Sequence, residues 1–425
     1  MKVIISNAVT LNGGDAAILE ALITVIKETY GGNTEFIVYD NNPEVASKYY
    51  TNINYRKLIY LKYKKTFSGK LGWRFSKFYH YVALKRLMLA AKLYSSGKES
   101  AAYALLSKQQ KEDFEIYRTA DLVVSTGGTL LVENYDLQPR FYDYYFTLAL
   151  KKPLVFFTQS LGPFKKPENK KHIKEIFNQA KMILLRDEAS YNNLKEIDVD
   201  VSKAHVCADV VFAVAEPQDL EVAKKKEVKQ PPKVAISVRD WPFFKNRSVE
   251  EGTALYYSSV AAICEYVVKN LGGEVVFIST CQGIKEYRTD DSKVAAEIYE
   301  ILPSEVKQRA SVNSDFHTPE ELKIVMEKFD LVVSTRMHSA IQSLSIGIPV
   351  LPIAYEFKTK ELFSKLIDRD LILDIETITP ESCVETFKRF LAYMPSNRES
   401  LFEKVEAERI SSLKPVGYLK REVSL

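Results

Sequence analysis

The chain is 425 residues long, about twice the usual domain length, so two domains are expected. Hydrophobic residues make up 46% and charged residues 27%, with Gly and Pro at 16 each, which excludes disordered, collagenous and low-complexity proteins. The formal net charge of only +4, from 59 Lys+Arg against 55 Asp+Glu, speaks on average against a dedicated nucleic-acid binder.

Short β-rich runs alternate with helical segments, the pattern of a parallel α/β sheet. Strands are expected at Lys2–Ser6, Glu35–Tyr39, Asp121–Ser125, Leu154–Thr158, Met182–Leu185 and Val210–Ala213. Glu216–Lys233 is polar, Lys-rich and ends in Pro231-Pro232, as an interdomain linker would. The series then restarts with Val234–Val238, Glu274–Ser279, Leu331–Ser334 and Val350–Ile353, separated by helices such as Gly252–Asn270 and Pro319–Lys328, and Ser396–Leu413 reads as a charged amphipathic helix. The expected fold is α/β, with two Rossmann-like domains whose parallel sheets face across a cleft and a C-terminal helix packing back across the interface. The boundaries are 1–215 with a basic aromatic insertion at 45–98, a linker at 216–233, a second domain at 234–395 and a helix and tail at 396–425. The N-terminal apolar stretch is broken by Asn7 and Asn12, and no run reaches the roughly 18 to 20 apolar residues of a transmembrane helix. Cys207, Cys264, Cys281 and Cys383 have no CxxC spacing, so a reducing, cytoplasmic compartment is expected.

The hexapeptide Asp-Leu-Val-Val-Ser-Thr occurs at Asp121–Thr126 and again at Asp330–Thr335. It marks either two similar halves with ligands at the carboxyl ends of equivalent strands or a coincidence between two buried strands. Leu11–Asp15 follows the first strand, and its glycines allow close backbone approach at a helix start, where Asp15 is either an N-cap or part of a site. Asn12, Gly14 and Asp15, with Gly127, Gly128 and Gln159 in two further strand-end turns of the first half, are the candidate acceptor-binding residues, since small and amide side chains suit sugar hydroxyls. Ser334–Ser339 ends a strand and begins a helix closed by Gly347, which puts Arg336, Met337, His338 and Ser339 at a positive helix terminus where an anion can meet a guanidinium, free N–H groups and an imidazole. Arg186 ends another strand and supplies a second fork if the ligand carries both carboxylate and phosphate. Arg239, Trp241, Cys281 and Tyr355 fall in the remaining strand-end turns of the second half as candidate pocket walls. No carboxylate cluster or His/Cys set suggests a metal, and none is expected.

In order along the chain, Gly14–Leu19, Gly127-Gly128, Gln159–Pro163, Arg186-Asp187 with Ser190 and Leu194, and Arg336–Ser339 through Gly347-Ile348-Pro349 resemble the polysaccharide pyruvyl transferase family, whose members resemble two-domain GT-B glycosyltransferases. The resemblance implies transfer of a carboxyethylidene group from phosphoenolpyruvate to two sugar hydroxyls, giving a cyclic ketal. It implies a phosphoenolpyruvate site at Arg186, Arg336, Met337, His338 and Ser339, with Arg336 and His338 catalytic, and no cofactor beyond that donor. His338 suits the required proton transfer. The alternative is a GT-B glycosyltransferase using a nucleotide sugar, and a sugar- or membrane-binding module without activity is a third reading.

Counted by segment, the charge is uneven: Val45–Lys98 holds 13 Lys+Arg and no Asp or Glu, with 12 aromatic residues, while the rest of the chain carries −9. That combination suits docking on an anionic membrane, in line with an acceptor linked to polyprenyl diphosphate, rather than on nucleic acid. A peripheral position at the inner face of the cell membrane is therefore expected.

Overall fold

The computed structural model describes residues 1–68 and 71–423; Gly69–Lys70 of the basic segment and Ser424–Leu425 of the tail lie outside the described residues. All but one of the apolar runs marked in the sequence become strands, most of them buried on both faces as in covered parallel sheets. The strands are β1 (Lys2–Ala8), β2 (Glu35–Asp40), β3 (Asn54–Lys57), β4 (Leu122–Ser125), β5 (Gly128–Leu131), β6 (Leu154–Leu161), β7 (Met182–Leu185) and β8 (Ala204–Val206), then β9 (Lys233–Ser237), β10 (Glu274–Phe277), β11 (Ala310–Val312), β12 (Leu331–Ser334), β13 (Val350–Ala354) and β14 (Leu373–Asp374). Helices α1 (Gly13–Tyr30), α2 (Pro43–Tyr49), α3 (Ile59–Lys62), α4 (Gly72–Ser95), α5 (Glu99–Leu105), α6 (Lys108–Thr119), α7 (Gln138–Ala149), α8 (Pro167–Gln179) and α9 (Glu188–Glu196) accompany the first set. With the second go α10 (Pro217–Lys225), α11 (Val249–Glu265), α12 (Asp291–Glu300), α13 (Ser304–Lys307), α14 (Pro319–Met326), α15 (Met337–Ser345), α16 (Phe357–Leu366) and α17 (Pro380–Glu422).

The chain divides into two units: Met1–Thr10, Ile18–Val210 and Ser412–Leu425 form the first, and Leu11–Ala17 with Val211–Ser411 the second. In the first, the sheet order is β3-β2-β1-β4-β6-β7-β8, with β5 beside β6; in the second it is β11-β10-β9-β12-β13-β14. The second order is the 3-2-1-4-5-6 arrangement of a Rossmann-like domain, and the first repeats it with two additions, the edge strand β8 and β5 beside β6. Every strand pair is parallel.

The repeated hexapeptide occupies the same place in both sheets, on β4 beside β1 and on β12 beside β9. Each copy also makes the same bonds. Asp121 accepts from the Lys2 backbone N–H at 2.7 Å and Asp330 from that of Lys233 at 2.9 Å. At the other end, Thr126 N–H donates to the Ser6 carbonyl (3.0 Å) and Thr335 N–H to that of Ser237 (2.8 Å). The aspartate fixes the start of the neighbouring strand and the threonine fixes its exit, so the four apolar and small residues between them are buried in register.

Four expectations change. The apolar run at Val210–Ala213 is a 3-10 turn, Val210–Val214, and its apolar side chains are spent on burying that turn, with Val210, Val211 and Phe212 almost fully buried. The polar stretch 216–233 contains α10, started by Pro217 and held by the buried pair Leu220 and Ala223 at helical spacing. The basic segment 45–98 is no single insertion, since it supplies most of α2, edge strand β3, α3 and α4. The final helix is also longer than its charged pattern suggested, spanning Pro380–Glu422.

A polar group sits inside the first core. Asp143 on α7 is fully buried, bonded to the Tyr117 hydroxyl, and burial pushes its carboxyl up to about 6 although bonds from Tyr117 and Ser6 pull it down. Because the folded state holds this proton more tightly than the unfolded chain, stability from this group is present at low pH and lost as pH rises toward 6. Wild type compared with Asp143→Asn should therefore be about 3 kcal/mol more favoured at about pH 4 than at about pH 7 in urea unfolding. A constant difference across that range would contradict the assignment.

Candidate functional site

In the second unit, β12 delivers its last residues to the crevice beside β9, the switch point where open α/β sheets bind ligands. Arg336 is the N-cap of α15 and makes no side-chain cap bond, so the first N–H groups of the helix are not blocked by a side-chain cap from that residue. At the far end Gly347 adopts φ +80°, and the N–H groups of Gly347 and Ile348 bond to the carbonyls of Leu344 and Ser343. This Schellman closure needs a residue without a Cβ at that point.

Arg336 is 9% exposed and is held by a carboxylate absent from the sequence-derived set. Its Nε and Nη2 donate to Asp291, the first residue of α12, at 2.8 and 2.6 Å. The Ser279 hydroxyl donates to the same carboxylate at 2.7 Å and lies 2.8 Å from the Ser237 hydroxyl. Burial opposes charge on Arg336, but Asp291 beside it holds the guanidinium pKa well above its usual value. Its charge is thus compensated within the protein.

Arg239, just beyond β9, is different. Its guanidinium carbon lies 4.2 Å from the ring centre of Tyr355 and 5.3 Å from that of Trp241. It is half-buried, and among the described residues no carboxylate pairs with it. Tyr355 is pushed up by burial, with Arg239 and Arg336 pulling the other way. The Tyr256 hydroxyl accepts from the Arg239 backbone N–H at 3.4 Å and meets the Thr335 hydroxyl at 2.8 Å, tying the exits of β9 and β12 together.

The turn after β1 belongs to this unit and lies against His338. A Cβ on Gly14 would stand 2.5 Å from His338 Nδ1, and one on Gly13 would stand 1.7 Å from the Thr280 carbonyl oxygen. Close approach, rather than an unusual φ, is therefore what both glycines provide. Asn12 Oδ1 accepts from the Gly14 N–H at 3.0 Å and from the Cys281 thiol at 3.5 Å. Burial pushes the Cys281 thiol up despite Arg336 nearby, which disfavours the nucleophilic thiolate. His338 is half-buried, whereas Met337 and Ser339 beside it are buried. The arrangement offers a helix N-terminus, one uncompensated guanidinium and one half-buried imidazole, which together can bind an anion and move a proton.

The first unit holds a second cluster, at the carboxyl ends of β4, β6 and β7. Gln159 is fully buried and its amide donates to the Thr126 carbonyl, so it shapes the Gly127-Gly128 turn from behind. Thr158, at φ 38°, is a β-branched residue in the left-handed region, a strained conformation of the kind that collects at functional sites. Arg186 donates to the hydroxyls of Ser160 (2.7 Å) and Thr129 (2.8 Å) and pairs with Asp209, both side chains being 6% exposed. The sequence-derived sets are thus redistributed. Asn12, Gly14 and Asp15 stand in the second unit with Arg336, Met337, His338 and Ser339, while Arg186 stands in the first with Gly127, Gly128 and Gln159. Asp291 and Asp209 had no local signal: each is an ordinary helix-start or loop aspartate, and its role arises from an arginine 45 or 23 positions away.

Two Rossmann-like domains on one chain are the folds of GT-B-like enzymes, and solved structures of that kind are similar to this one. The UDP-GlcNAc 2-epimerase from Neisseria meningitidis has a TM-score of 0.55 at 14% identity, covering 99% of this chain and 100% of that one. A glycosyltransferase from Rickettsia africae ESF-5 has a TM-score of 0.55 at 11% identity, with coverage of 99% and 98%. The chain belongs to the polysaccharide pyruvyl transferase family, whose model matches residues 12–356. It is also similar to the amylovoran biosynthesis protein AmsJ of Erwinia amylovora, 26% identical over 296 residues, covering 68% of this chain and 70% of that protein. The protein is accordingly an enzyme of the pyruvyl- or glycosyl-transfer type acting on polysaccharide precursors. Among the described residues no helix is long and apolar enough to cross a membrane.

Proposed function

We propose that this enzyme transfers the carboxyethylidene group of phosphoenolpyruvate to two hydroxyls of one sugar in a polyprenyl-diphosphate-linked precursor, forming a cyclic ketal and releasing phosphate. The observation that carries the reading is His338, half-buried one residue inside the N-terminus of α15 and packed against the Gly14 turn. In this reading His338 gives a proton to the methylene carbon of the donor. The adjacent carbon becomes cationic and is attacked by the first sugar hydroxyl, whose proton passes to an oxygen of the donor's phosphate group. Phosphate then departs with its bonding electron pair, and the second hydroxyl closes the ring as its proton is taken up by His338. The α15 N–H groups and Arg239 hold the donor's anionic groups and offset charge on the departing phosphate. Arg336, compensated by Asp291, offers its remaining N–H donors there, and Arg186 is assigned to the cluster of its own unit. Gly127 and Gly128, with Gln159 behind them, are assigned to the acceptor, and Asn12, Gly14 and Asp15 to the site around His338. No metal or further cofactor is assigned, and the enzyme is placed at the cytoplasmic face of the membrane, docked through the basic segment.

Incubation with phosphoenolpyruvate and a lipid-linked acceptor tests this. Release of one phosphate per ketal formed, seen as an added mass on the sugar, is the expected result. Turnover only with a nucleotide sugar would instead support glycosyl transfer and overturn the pyruvyl assignment.

A further inference from the structure

The outer face of α4 carries an apolar ridge that the core does not use. Leu71, Phe75, Phe78, Val82 and Leu89 follow one another at intervals of four, three, four and seven residues, so they line one side of the helix. Phe75 and Phe78 are 60% and 67% exposed, and Leu71, Trp73, Tyr81 and Leu89 are exposed with them. The opposite side is a conventional core face. Leu84, Leu87, Ala90 and Ala91 are buried in the cluster that contains Phe114 and Tyr117. The backbone of α4 is tied down by the Tyr142 hydroxyl, which donates to the Leu84 carbonyl at 2.9 Å, and His80 Nε2 lies 2.8 Å from the Tyr60 carbonyl. The helix is therefore fixed from behind, and its aromatic front is left over.

Cations border the ridge. Lys77 lies 5.0 Å and Arg74 5.5 Å from the Trp73 ring centre, and Lys85 lies 5.4 Å from that of Tyr81. The segment from Val45 to Lys98 contains no carboxylate of its own. Long cationic side chains lying along rings beside an apolar strip suit a lipid interface, where rings enter the headgroup boundary and the charges reach the phosphates. A convex ridge also needs no shape-matched groove in its partner, and a bilayer supplies none. We propose that Leu71 and the first turns of α4, as far as Leu89, dock the enzyme on an anionic phospholipid surface through Phe75 and Phe78, with Arg74, Lys77 and Lys85 contacting headgroup phosphates. This deepens the reading above by naming the membrane-facing residues, and rests on it only for the acceptor's lipid.

The test is co-sedimentation of the full chain with vesicles of phosphatidylcholine alone or mixed with phosphatidylglycerol. Wild type is expected on the mixed vesicles, with binding weakened by salt. Phe75→Ser/Phe78→Ser should lower affinity about a hundredfold without changing the melting temperature. Arg74→Gln/Lys77→Gln/Lys85→Gln should lose roughly a hundredfold on mixed vesicles and little on phosphatidylcholine alone. Wild type that stays in solution, or variants that sediment as wild type does, overturns the proposal. So does a dimer in solution that the phenylalanine variant dissociates without altering vesicle binding, since the ridge would then face a second copy. Turnover of a water-soluble acceptor without vesicles separates this from the chemistry: it should be the same in wild type and both variants if docking alone is affected. Vesicle binding with no phosphoenolpyruvate turnover would reject the pyruvyl reading and leave docking in place.

Discussion

Replacing His338 with Gln should reduce kcat for ketal formation by about a hundred- to ten-thousand-fold, the range for loss of a general acid–base group, and leave the melting temperature within a degree or so of wild type. Gln keeps a polar side chain of similar reach beside Gly14 but cannot carry a proton between methylene carbon and hydroxyl. The pH profile gives the readout that a merely structural role would not move. Wild-type kcat should show a limb set by one titrating group, and that limb should be missing in the variant. A variant that keeps the limb, or loses activity only in step with its fold, would remove His338 from the mechanism.

The second large effect is on stability. Arg336→Met leaves the Asp291 carboxylate buried without its partner, and such a break costs about 3–5 kcal/mol, or a melting temperature lower by roughly 10 °C for a domain of this size. Arg336→Met/Asp291→Asn removes both charges and should recover most of the loss. Inactivity of the single variant therefore says little about the chemistry, and the double variant is the one to assay. Arg239→Gln provides the contrast. With no carboxylate to strand, it should melt as wild type does while raising the KM for phosphoenolpyruvate about ten- to a hundredfold, the value of one or two bonds to a charged ligand. If the double variant melts no higher than the single one, the buried pair is not what holds the β9–β12 crevice. If Arg239→Gln leaves KM unchanged, the donor's anion sits elsewhere.

Much of this arrangement was legible along the chain. The buried strands announced themselves as short runs of Val, Ile and Leu because a strand covered on both faces has no polar side to show. The repeated Asp-Leu-Val-Val-Ser-Thr marked equivalent places because aspartate and threonine do equivalent work at the two ends of β4 and β12. The Arg336–Ser339 turn was legible as a strand exit running into a helix. Less visible was α10, whose Lys-rich surface hid a stripe of only two buried residues. The run at 210–214 misled because β-branched residues also fill a buried turn.

The sequence by itself determined two α/β units from the alternation and restart of strands and helices, the family, and a basic aromatic segment free of acids. These are local or additive properties, carried by composition, spacing and short motifs. Only the tertiary structure decided which charges are available. Arg336 and Arg186 look alike to Arg239 in the chain, yet two of them are spent on Asp291 and Asp209 and one is not. Likewise it divided α4 into a buried side and an aromatic side, and set the Gly14 turn against His338 rather than with Gln159. Ion pairing and burial depend on residues brought near through space, and no interval along the chain records that distance.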